Sequence, residues 1–166
     1  MNCYVLYCQR FKIENLCHTF NTKKGIEAFI PLMEKHIHST NEIVLKPLFP
    51  NYLFIKTKMN QIEFDTFLLL MKEEKNGVIK ELKKDDVSAL TKDEIHLLKL
   101  LLNEQYILKM SKGYKQTNKT IVVEGPLKAL QEHIVSVNKR EHFAILNIEF
   151  LNRRIKAGIE MQNKEI

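Results

Sequence analysis

The stretch Lys46-Pro-Leu-Phe-Pro-Asn-Tyr-Leu-Phe-Ile55 carries the strongest structural signal among the 166 residues of the chain. Because a residue that precedes proline avoids the helical region, Pro47 and Pro50 hold the first half of the stretch extended. Side chains alternate along a strand, so Tyr52 and Phe54 share one face and the residues beside them share the other. The stretch therefore predicts a stiff connection followed by a strand with at least one buried face.

Around this stretch, the first 105 residues predict an alternation of strands and helices. Apolar residues at helical spacing follow the N-terminal strand, and the capping box Thr91-Lys-Asp-Glu94 opens a third helix. Residues 33–40 are polar and contain two histidines, which predicts a loop or a hairpin turn. The predicted strands are 3–9, 26–32, 42–45, 52–56 and 78–82, and the other predicted helices are 13–20 and 60–74. This order suits a compact α+β domain.

The character of the sequence changes after residue 107. Residues 108–117 are polar and lack periodic apolar positions, so they predict a linker. Four strand-like pieces follow, and turn residues such as Gly125-Pro126 separate them. The predicted strands are 120–123, 133–137, 142–148 and 153–159. Short strands at close, regular spacing predict a small all-β barrel.

Composition places the chain among folded proteins and limits its compartment. It is 45% hydrophobic and 28% charged with 5 Gly and 4 Pro, which excludes collagen-like and Pro/Gly-rich disordered chains. No apolar run approaches the ~20 residues that a bilayer-spanning helix needs, and the first residues lack a signal-peptide pattern. Cys3, Cys8 and Cys17 form an odd set without a CxxC spacing. We therefore expect reduced thiols, a cytoplasmic location and no membrane association.

The sequence contains no evident constellation of catalytic residues. Its six histidines are scattered, and His36-x-His38 lacks an acidic third ligand nearby. No paired carboxylates suggest general acid–base chemistry, and no Gly-rich loop offers a phosphate cradle. We therefore expect a protein that is not an enzyme and that uses no cofactor and no metal.

The net charge of +6 is unevenly distributed along the chain. Residues 1–105 hold 15 Lys and Arg against 14 Asp and Glu, a net charge of +1. Residues 106–166 hold 11 against 6, a net charge of +5. The basic half favours an anionic partner such as RNA, whereas the nearly neutral half with its aromatic stretch favours a protein partner.

The first half of the chain resembles a known family. The opening Tyr4-Val-Leu strand, the Phe29-Ile-Pro31 segment and the 46–55 stretch together resemble the N-terminal domain of the NusG family of transcription elongation factors. The similarity is greatest to specialised paralogues such as RfaH, which share the Pro-Leu-Phe-Pro-Asn-Tyr-Leu-Phe run.

The second half resembles the end of the same family. The run Thr120-Ile-Val-Val-Glu-Gly-Pro-Leu-Lys128, followed by Ile134-Val135 and Asn138-Lys-Arg140, is similar to the KOW motif. Its Gly-Pro-Leu-Lys run and the later Gly158-Ile-Glu160 are more similar to LoaP, an antiterminator paralogue. Both segments occur in the order and spacing of the family.

The resemblance implies a fold and a division into domains. We expect an α+β protein with a NusG-type α/β sandwich domain over 1–107, a linker over 108–117 and a small all-β, SH3-like KOW barrel over 118–166. In the family, the first domain docks on the clamp helices of RNA polymerase through an apolar surface of its sheet. The resemblance implies a monomeric elongation and antitermination factor whose KOW domain contacts nascent RNA, at a leader hairpin.

The resemblance also implies which residues act. The positions that match the polymerase-binding surface are Tyr4, Leu6, Phe49, Pro50, Asn51, Tyr52, Phe54, Phe64 and Phe67. Six cations lie at or beside predicted turns of the KOW part, where the turns of a small barrel would converge into one basic surface for RNA phosphates. These cations are Lys128, Lys139, Arg140, Arg153, Arg154 and Lys156. Phe143 or Tyr114 adds a stacking face.

The chain departs from the family pattern at three positions. Cys3 stands where the family has Trp, Asn51 stands where the standard member has Gly, and Glu132 stands where KOW motifs carry a second Gly. Asn tolerates the left-handed region better than most residues, and the specialised paralogues share it. Two alternatives to an antiterminator remain open: an RNA-binding KOW protein that acts on the ribosome, and a housekeeping NusG-type elongation factor.

Overall fold

The computed structural model describes residues 1–163. Strands and helices alternate through the first hundred residues, and strands dominate thereafter. In chain order the elements are β1 (Asn2–Cys8), α1 (Ile13–Asn21), β2 (Ile26–Phe29), β3 (Leu32–Ile37), β4 (Glu42–Pro47), β5 (Tyr52–Thr57), α2 (Gln61–Met71), β6 (Val78–Glu81), α3 (Lys92–Leu101), β7 (Ile107–Leu108), β8 (Ser111–Gln116), β9 (Lys119–Glu124), β10 (Ile134–Asn138), β11 (Phe143–Phe150) and β12 (Arg153–Met161). Two 3₁₀ helices span Lys72–Lys75 and Pro126–His133.

The chain divides into two compact units. The first unit consists of Met1–Pro31 and Phe49–Ile95, and the second consists of Leu32–Leu48 and the chain from His96 onwards. By its contacts, the β3–β4 hairpin therefore belongs with the C-terminal strands.

The first unit is built on a four-stranded sheet in the order β2-β5-β1-β6. All three pairings are antiparallel, with β1 held between β5 and β6. Helices α1 and α2 pack against one face, where Leu16, Phe20, Phe64 and Leu68 join the apolar side chains of the strands. This layer of helix on sheet forms the core of the unit.

Capping boxes open helices α2 and α3, whereas α2 ends at Met71, three residues before its predicted end. Helix α2 begins with a capping box, in which the Glu63 N–H donates to Asn60 Oδ1 at 2.9 Å and the Asn60 N–H donates to Glu63 Oε1 at 3.0 Å. The Thr91–Glu94 capping box of α3 forms in the same way. Gly77 follows α2 at φ 110°, and a Cβ atom there would lie 2.7 Å from Lys12 Cβ, so the close approach of the α1 start requires glycine.

The second unit contains two sheets. The larger has the order β10-β11-β12-β8-β9, in which only the β12–β8 pairing is parallel. The smaller has the order β4-β3-β7, with β3 and β7 parallel. The apolar interior of the second unit contains four fully buried side chains, those of Leu127, Leu146, Ala157 and Ile159. The fold is thus a mixed α/β arrangement with a sheet-rich C-terminal half.

Three local predictions from sequence are wrong. Residues 33–40 are not a loop, because β3 occupies Leu32–Ile37 and pairs in register with β4. The expected linker contains β8, which pairs with both β9 and β12. The sequence does not predict this strand, because its buried positions are Ser111 and Gly113, which are not apolar side chains.

The third wrong prediction concerns residues after Gly125, which were expected to contain strands and turns alone. They form the 3₁₀ helix Pro126–His133, in which Leu127 and Leu130 are buried. Three residues make one turn of a 3₁₀ helix, so this spacing places both leucines on one side. Proline at the start suits a helix end, since it has no N–H to leave unsatisfied.

Candidate functional site

The two faces of the first sheet differ in what covers them. Residues directly opposite each other in an antiparallel pair point to the same face. The pairs Tyr4–Ile55 and Leu6–Leu53 therefore share the face packed by the helices, and all four side chains are completely buried. The alternate pairs, Val5–Phe54 and Tyr7–Tyr52, lie on the other face.

Three of the predicted polymerase-binding residues lie on the helix side. Tyr4 and Leu6 of β1 and Phe64 of α2 are completely buried, and the rings of Tyr4 and Phe64 stack at 4.1 Å between centroids. Tyr4 also donates its hydroxyl hydrogen to the Met59 carbonyl at 2.7 Å. In this structure these three side chains build the core, because strand alternation turns Tyr4 and Leu6 toward the helices and Phe64 faces them from α2.

Phe49 and Phe54 form an aromatic layer under the other face. Their ring centroids are 5.9 Å apart, and Phe29 of β2 stacks on Phe54 at 5.4 Å. All three are nearly or completely buried. Phe29 was not among the predicted site residues, although its register opposite Phe54 joins the two rings.

A more exposed rim borders this layer where β5 begins. Pro50 is exposed, and Asn51 and Tyr52 are half-buried. The Tyr52 ring lies 5.1 Å from that of Tyr7, which is also half-buried on the same face. The resemblance implies Tyr4 and Leu6 of β1 but not Tyr7. The alternation of the strand points Tyr7 to the opposite face of the sheet, beside Tyr52.

The turn that presents this rim depends on Asn51. Its φ is 73°, in the left-handed region, and the Tyr52 N–H closes the turn on the Phe49 carbonyl at 3.2 Å. The Asn51 carbonyl accepts the Cys8 N–H at 2.8 Å, which ties the turn to the end of β1. Among residues with a side chain, asparagine is one of those that best tolerate such a backbone, so the turn forms here without glycine.

Helix α2 presents a second apolar surface. Phe67 is half-buried, with its ring 6.2 Å from Phe64 and 6.1 Å from Phe20. Ile62, Leu69 and Leu70 of the same helix are more than two-thirds exposed. Because a helix advances by 100° per residue, these three side chains lie on the side opposite the buried Phe64, Leu68 and Met71.

The predicted RNA-binding cations are all exposed, but they do not converge. Lys139 and Arg140 lie in the turn before β11, and Arg153 and Arg154 follow the turn after it. The eight residues of β11 separate the two pairs by roughly 24 Å. Lys128 lies apart from both pairs, in the 3₁₀ helix. The basic residues therefore form separate clusters, because successive turns of an antiparallel sheet alternate between its two ends.

Lys156 links the first of these clusters to an aromatic ring. It lies on β12 opposite Ile145, and its Nζ sits 4.1 Å from the centroid of Phe143. This distance is within the range of a cation–π contact. Phe143 begins β11, so the Lys139–Arg140 end of the strand combines three cations with a half-buried aromatic ring.

The thiols and imidazoles assemble no reactive centre in the described part of the chain. Burial raises the pKa of the Cys3 and Cys8 thiols to about 12, and it also raises that of Cys17, so none is an activated nucleophile. Residues 1–163 bring together no group of three His, Cys, Asp or Glu side chains suited to a metal ion. Over the same residues, no helix is long and apolar enough to cross a bilayer.

Comparison with known proteins identifies the family. The family model described as transcription termination factor NusG matches residues 1–99, which is more than half of the chain. The chain therefore belongs to the NusG family. Members of this family are transcription factors rather than enzymes, and they generally bind RNA polymerase.

A solved structure shares the fold. The structure titled "Domain interaction in Thermotoga maritima NusG" is similar over 96% of this chain and 93% of its own, with a TM-score of 0.52 and 13% sequence identity. At this identity the likeness concerns the fold alone. No match was found among curated proteins.

Proposed function

We propose that this NusG-family protein is a specialised antiterminator, similar to LoaP, that binds RNA polymerase with its first domain and nascent RNA with its last. Membership of the family supports a role in transcription. The specialised role is supported by the Pro-Leu-Phe-Pro-Asn-Tyr-Leu-Phe run, by Asn51 at its turn and by the Gly-Pro-Leu-Lys run. The proposed domains are 1–107 and 118–166, and the proposed active form is a monomer.

We place the polymerase contact at the rim formed by Tyr7, Pro50, Asn51 and Tyr52. The observation that carries this proposal is the pair of half-buried tyrosines beside an exposed proline, above the buried ring of Phe54. A rigid aromatic surface with little side-chain freedom suits the tip of a helical partner such as the clamp helices. Phe49 and Phe54 support this surface, whereas Phe67 lies on the helix side of the sheet with Tyr4, Leu6 and Phe64 and acts through the core.

The test measures binding of core RNA polymerase to the full chain. Replacing both rim tyrosines, Tyr7→Ala and Tyr52→Ala, is expected to weaken binding at least tenfold, as the loss of two aromatic contacts would. Tyr114→Ala removes a half-buried tyrosine of β8 and serves as the matched control. Phe49→Ala is a poor test, because it truncates a buried ring and would cost about 3–5 kcal/mol of folding stability. Unchanged binding by a folded double variant would refute this placement.

We place the RNA contact at the Lys139–Arg140 end of β11. Support comes from Lys156 over the half-buried Phe143 ring, since cations beside an aromatic ring can bind phosphates and stack a base together. The Arg153–Arg154 end has no described aromatic ring exposed beside it, and Arg154 lies opposite Glu149, whose carboxylate opposes phosphate binding.

Two matched double variants distinguish the two ends. Each removes two positive charges: Lys139→Gln with Arg140→Gln, and Arg153→Gln with Arg154→Gln. The first is expected to weaken binding of a leader RNA hairpin more strongly and to reduce the slope of log affinity against log salt by about 1–2. Equal losses from both variants would mean that binding follows net charge alone.

A reconstituted elongation reaction tests the function as a whole. The protein is expected to increase readthrough of terminators downstream of its own leader, and not downstream of an unrelated leader. Readthrough that ignores the leader would favour a housekeeping elongation factor. Failure to bind core polymerase, with RNA binding retained, would favour a KOW protein that acts on the ribosome.

A further inference from the structure

The β3–β4 hairpin and the C-terminal strands meet in a close contact within the second unit. Strand β12 lies against β3, and Gly158 is the point of nearest approach. A Cβ atom at this position would overlap Met110 Sδ and would lie 3.0 Å from the Glu34 carbonyl oxygen. The Met110 N–H donates to Glu34 Oε1 at 2.8 Å, and Lys109 Nζ lies 3.1 Å from Glu34 Oε2. A side chain at position 158 would therefore require both the Met110 side chain and the Glu34 backbone to move.

Two histidines stack at the same contact. The imidazole of His36 on β3 lies 3.8 Å, centroid to centroid, from that of His142 in the turn before β11, and the rings are inclined by 29°. The His142 carbonyl accepts the Ile159 N–H at 3.0 Å, which fastens this turn to β12. The stack thus joins the hairpin to the strand pair β11–β12.

The hydrogen bonds of His36 favour its neutral form. Its Nε2 lies 2.8 Å from Asn41 Oδ1, an acceptor, so Nε2–H donates to it. The Nδ1 atom is buried and has no hydrogen-bond partner among residues 1–163. A proton added to Nδ1 would therefore create a buried donor without an acceptor, beside a second imidazole.

The charges around His142 act in the same direction on balance. Burial lowers the pKa of His142 from its ordinary value of 6.5, and the neighbouring His36 and His38 lower it further. The carboxylates of Glu160 on β12 and Glu141 in the turn oppose this effect but do not cancel it. Both imidazoles are thus suited to the contact in their uncharged state.

We propose that the stacked pair His36–His142 is a proton-sensitive latch that holds the β3–β4 hairpin against strands β11 and β12 and releases it on acidification. An imidazole whose pKa is lowered by docking takes up a proton more readily when undocked. The contact is therefore intact above pH 6.5, the ordinary value, and is lost as the pH falls through the lowered value. Each pH unit by which docking lowers the pKa of an imidazole makes docking of its protonated form tenfold weaker.

Amide NMR spectra of the full chain, recorded from about pH 7.5 to about pH 5, test the latch across the range in which histidine titrates. The reporters are the Met110 amide and the amides of β12. Gly158→Leu supplies the reference for the open contact, because a long side chain at this position has no room beside both Met110 Sδ and the Glu34 carbonyl oxygen. In the native chain, the reporter signals are expected to move toward the open reference as the pH falls below 6.5.

A double variant separates the latch from general acid effects. His36→Phe keeps an aromatic ring, and His142→Asn keeps a residue that tolerates the φ of 57° at this turn. The reporter signals of this variant are expected not to shift with pH, whereas His18→Asn, which removes an exposed histidine of α1, should behave like the native chain.

Three outcomes would overturn the latch. They are native reporter signals that stay unchanged to about pH 5, a double variant that titrates with the native midpoint, and a pKa of His142 in the native chain that is not below its ordinary value. The imidazole carbon-bound proton signals of His142 give that pKa directly. They decide the question even if the double variant is open at every pH.

Discussion

At the residue scale, Asp65 of α2 and Glu81 of β6 bring two carboxyl groups together. Glu81 Oε2 and Asp65 Oδ1 are both buried, and the Ser88 hydroxyl beside Glu81 favours the charged form of that carboxyl. Burial and the neighbouring Asp65 raise the pKa of Glu81 to about 7. Lys83 Nζ, at 3.7 Å from Asp65 and 3.9 Å from Glu81, offsets only part of this effect. Near neutral pH the Glu81 carboxyl is therefore partly protonated.

The raised pKa of Glu81 makes the stability of the protein depend on pH. A carboxyl whose folded pKa lies above its unfolded value contributes stability that is complete below pH 4.5 and is lost as the pH rises through about 7. Urea unfolding of the native chain should show a free energy that falls by up to about 1.4 kcal/mol per pH unit in that range. Glu81→Gln should remove this fall, and Glu149→Gln, at an exposed site on β11, should keep it. A fall of equal size in Glu81→Gln would contradict the assignment.

The backbone at Asn51 sets a second requirement at single-residue scale. Because its φ is 73°, Asn51→Ala should lower the free energy of unfolding by about 1–2 kcal/mol, whereas Asn51→Gly should be tolerated. Asn147→Ala, at an exposed position of β11 without a positive φ, is the matched control. Thermal unfolding followed by circular dichroism measures the difference. Equal midpoints for the Ala variants at 51 and 147 would show that the turn relaxes without cost.

At the element scale, the polar strand β8 depends on a single buried hydroxyl. Ser111 is fully buried, and its Oγ accepts the Leu127 N–H at 3.0 Å, where the 3₁₀ helix begins. The local sequence predicts a linker here, because a polar residue that is buried in a sheet cannot be told from an exposed one by its residue type. Strand pairing with β9 and β12 gives these residues the partners that a linker would lack.

Removing that hydroxyl should therefore weaken the C-terminal sheet. Ser111→Ala leaves the buried Leu127 N–H without its acceptor and is expected to cost about 1–3 kcal/mol in the free energy of unfolding. Ser136→Ala, at an exposed position of β10, should change it by less than about 0.5 kcal/mol. Urea titration of both variants gives the comparison. A neutral Ser111→Ala would mean that residues 111–116 contribute little to the sheet.

At the scale of the whole molecule, the strand order decides where the chain can be divided. Strand β8 lies between β9 and β12. A cut at residue 118 therefore removes the strand that joins β9 to the rest of the C-terminal sheet. A fragment of residues 118–166 should show the poorly dispersed amide spectrum of an unfolded chain, whereas a fragment that begins at residue 106 should be measurably more resistant to urea. Equal dispersion and equal resistance in the two fragments would contradict the structural role of β8.

The sequence by itself determined what depends on near neighbours. The strand and helix alternation of the first half, the capping boxes at Asn60 and Thr91, the left-handed tolerance of Asn51 and the basic surplus after residue 105 are all local features. Each arises from backbone geometry or charge within a few residues. The resemblance to the NusG family rested on the same kind of local run, and comparison confirmed it.

Only the tertiary structure decided which of these residues face a partner. Alternation puts Tyr4 and Tyr7 on opposite faces of one strand, but only the packing of the helices decides that Tyr4 is buried and Tyr7 lies on the rim. Lys139 and Arg153 were expected on one surface, yet a strand of roughly 24 Å separates their turns. His36 and His142 meet although more than a hundred residues lie between them. Strand pairing joins residues across long loops, and no short stretch of sequence records which face of the final sheet each side chain takes.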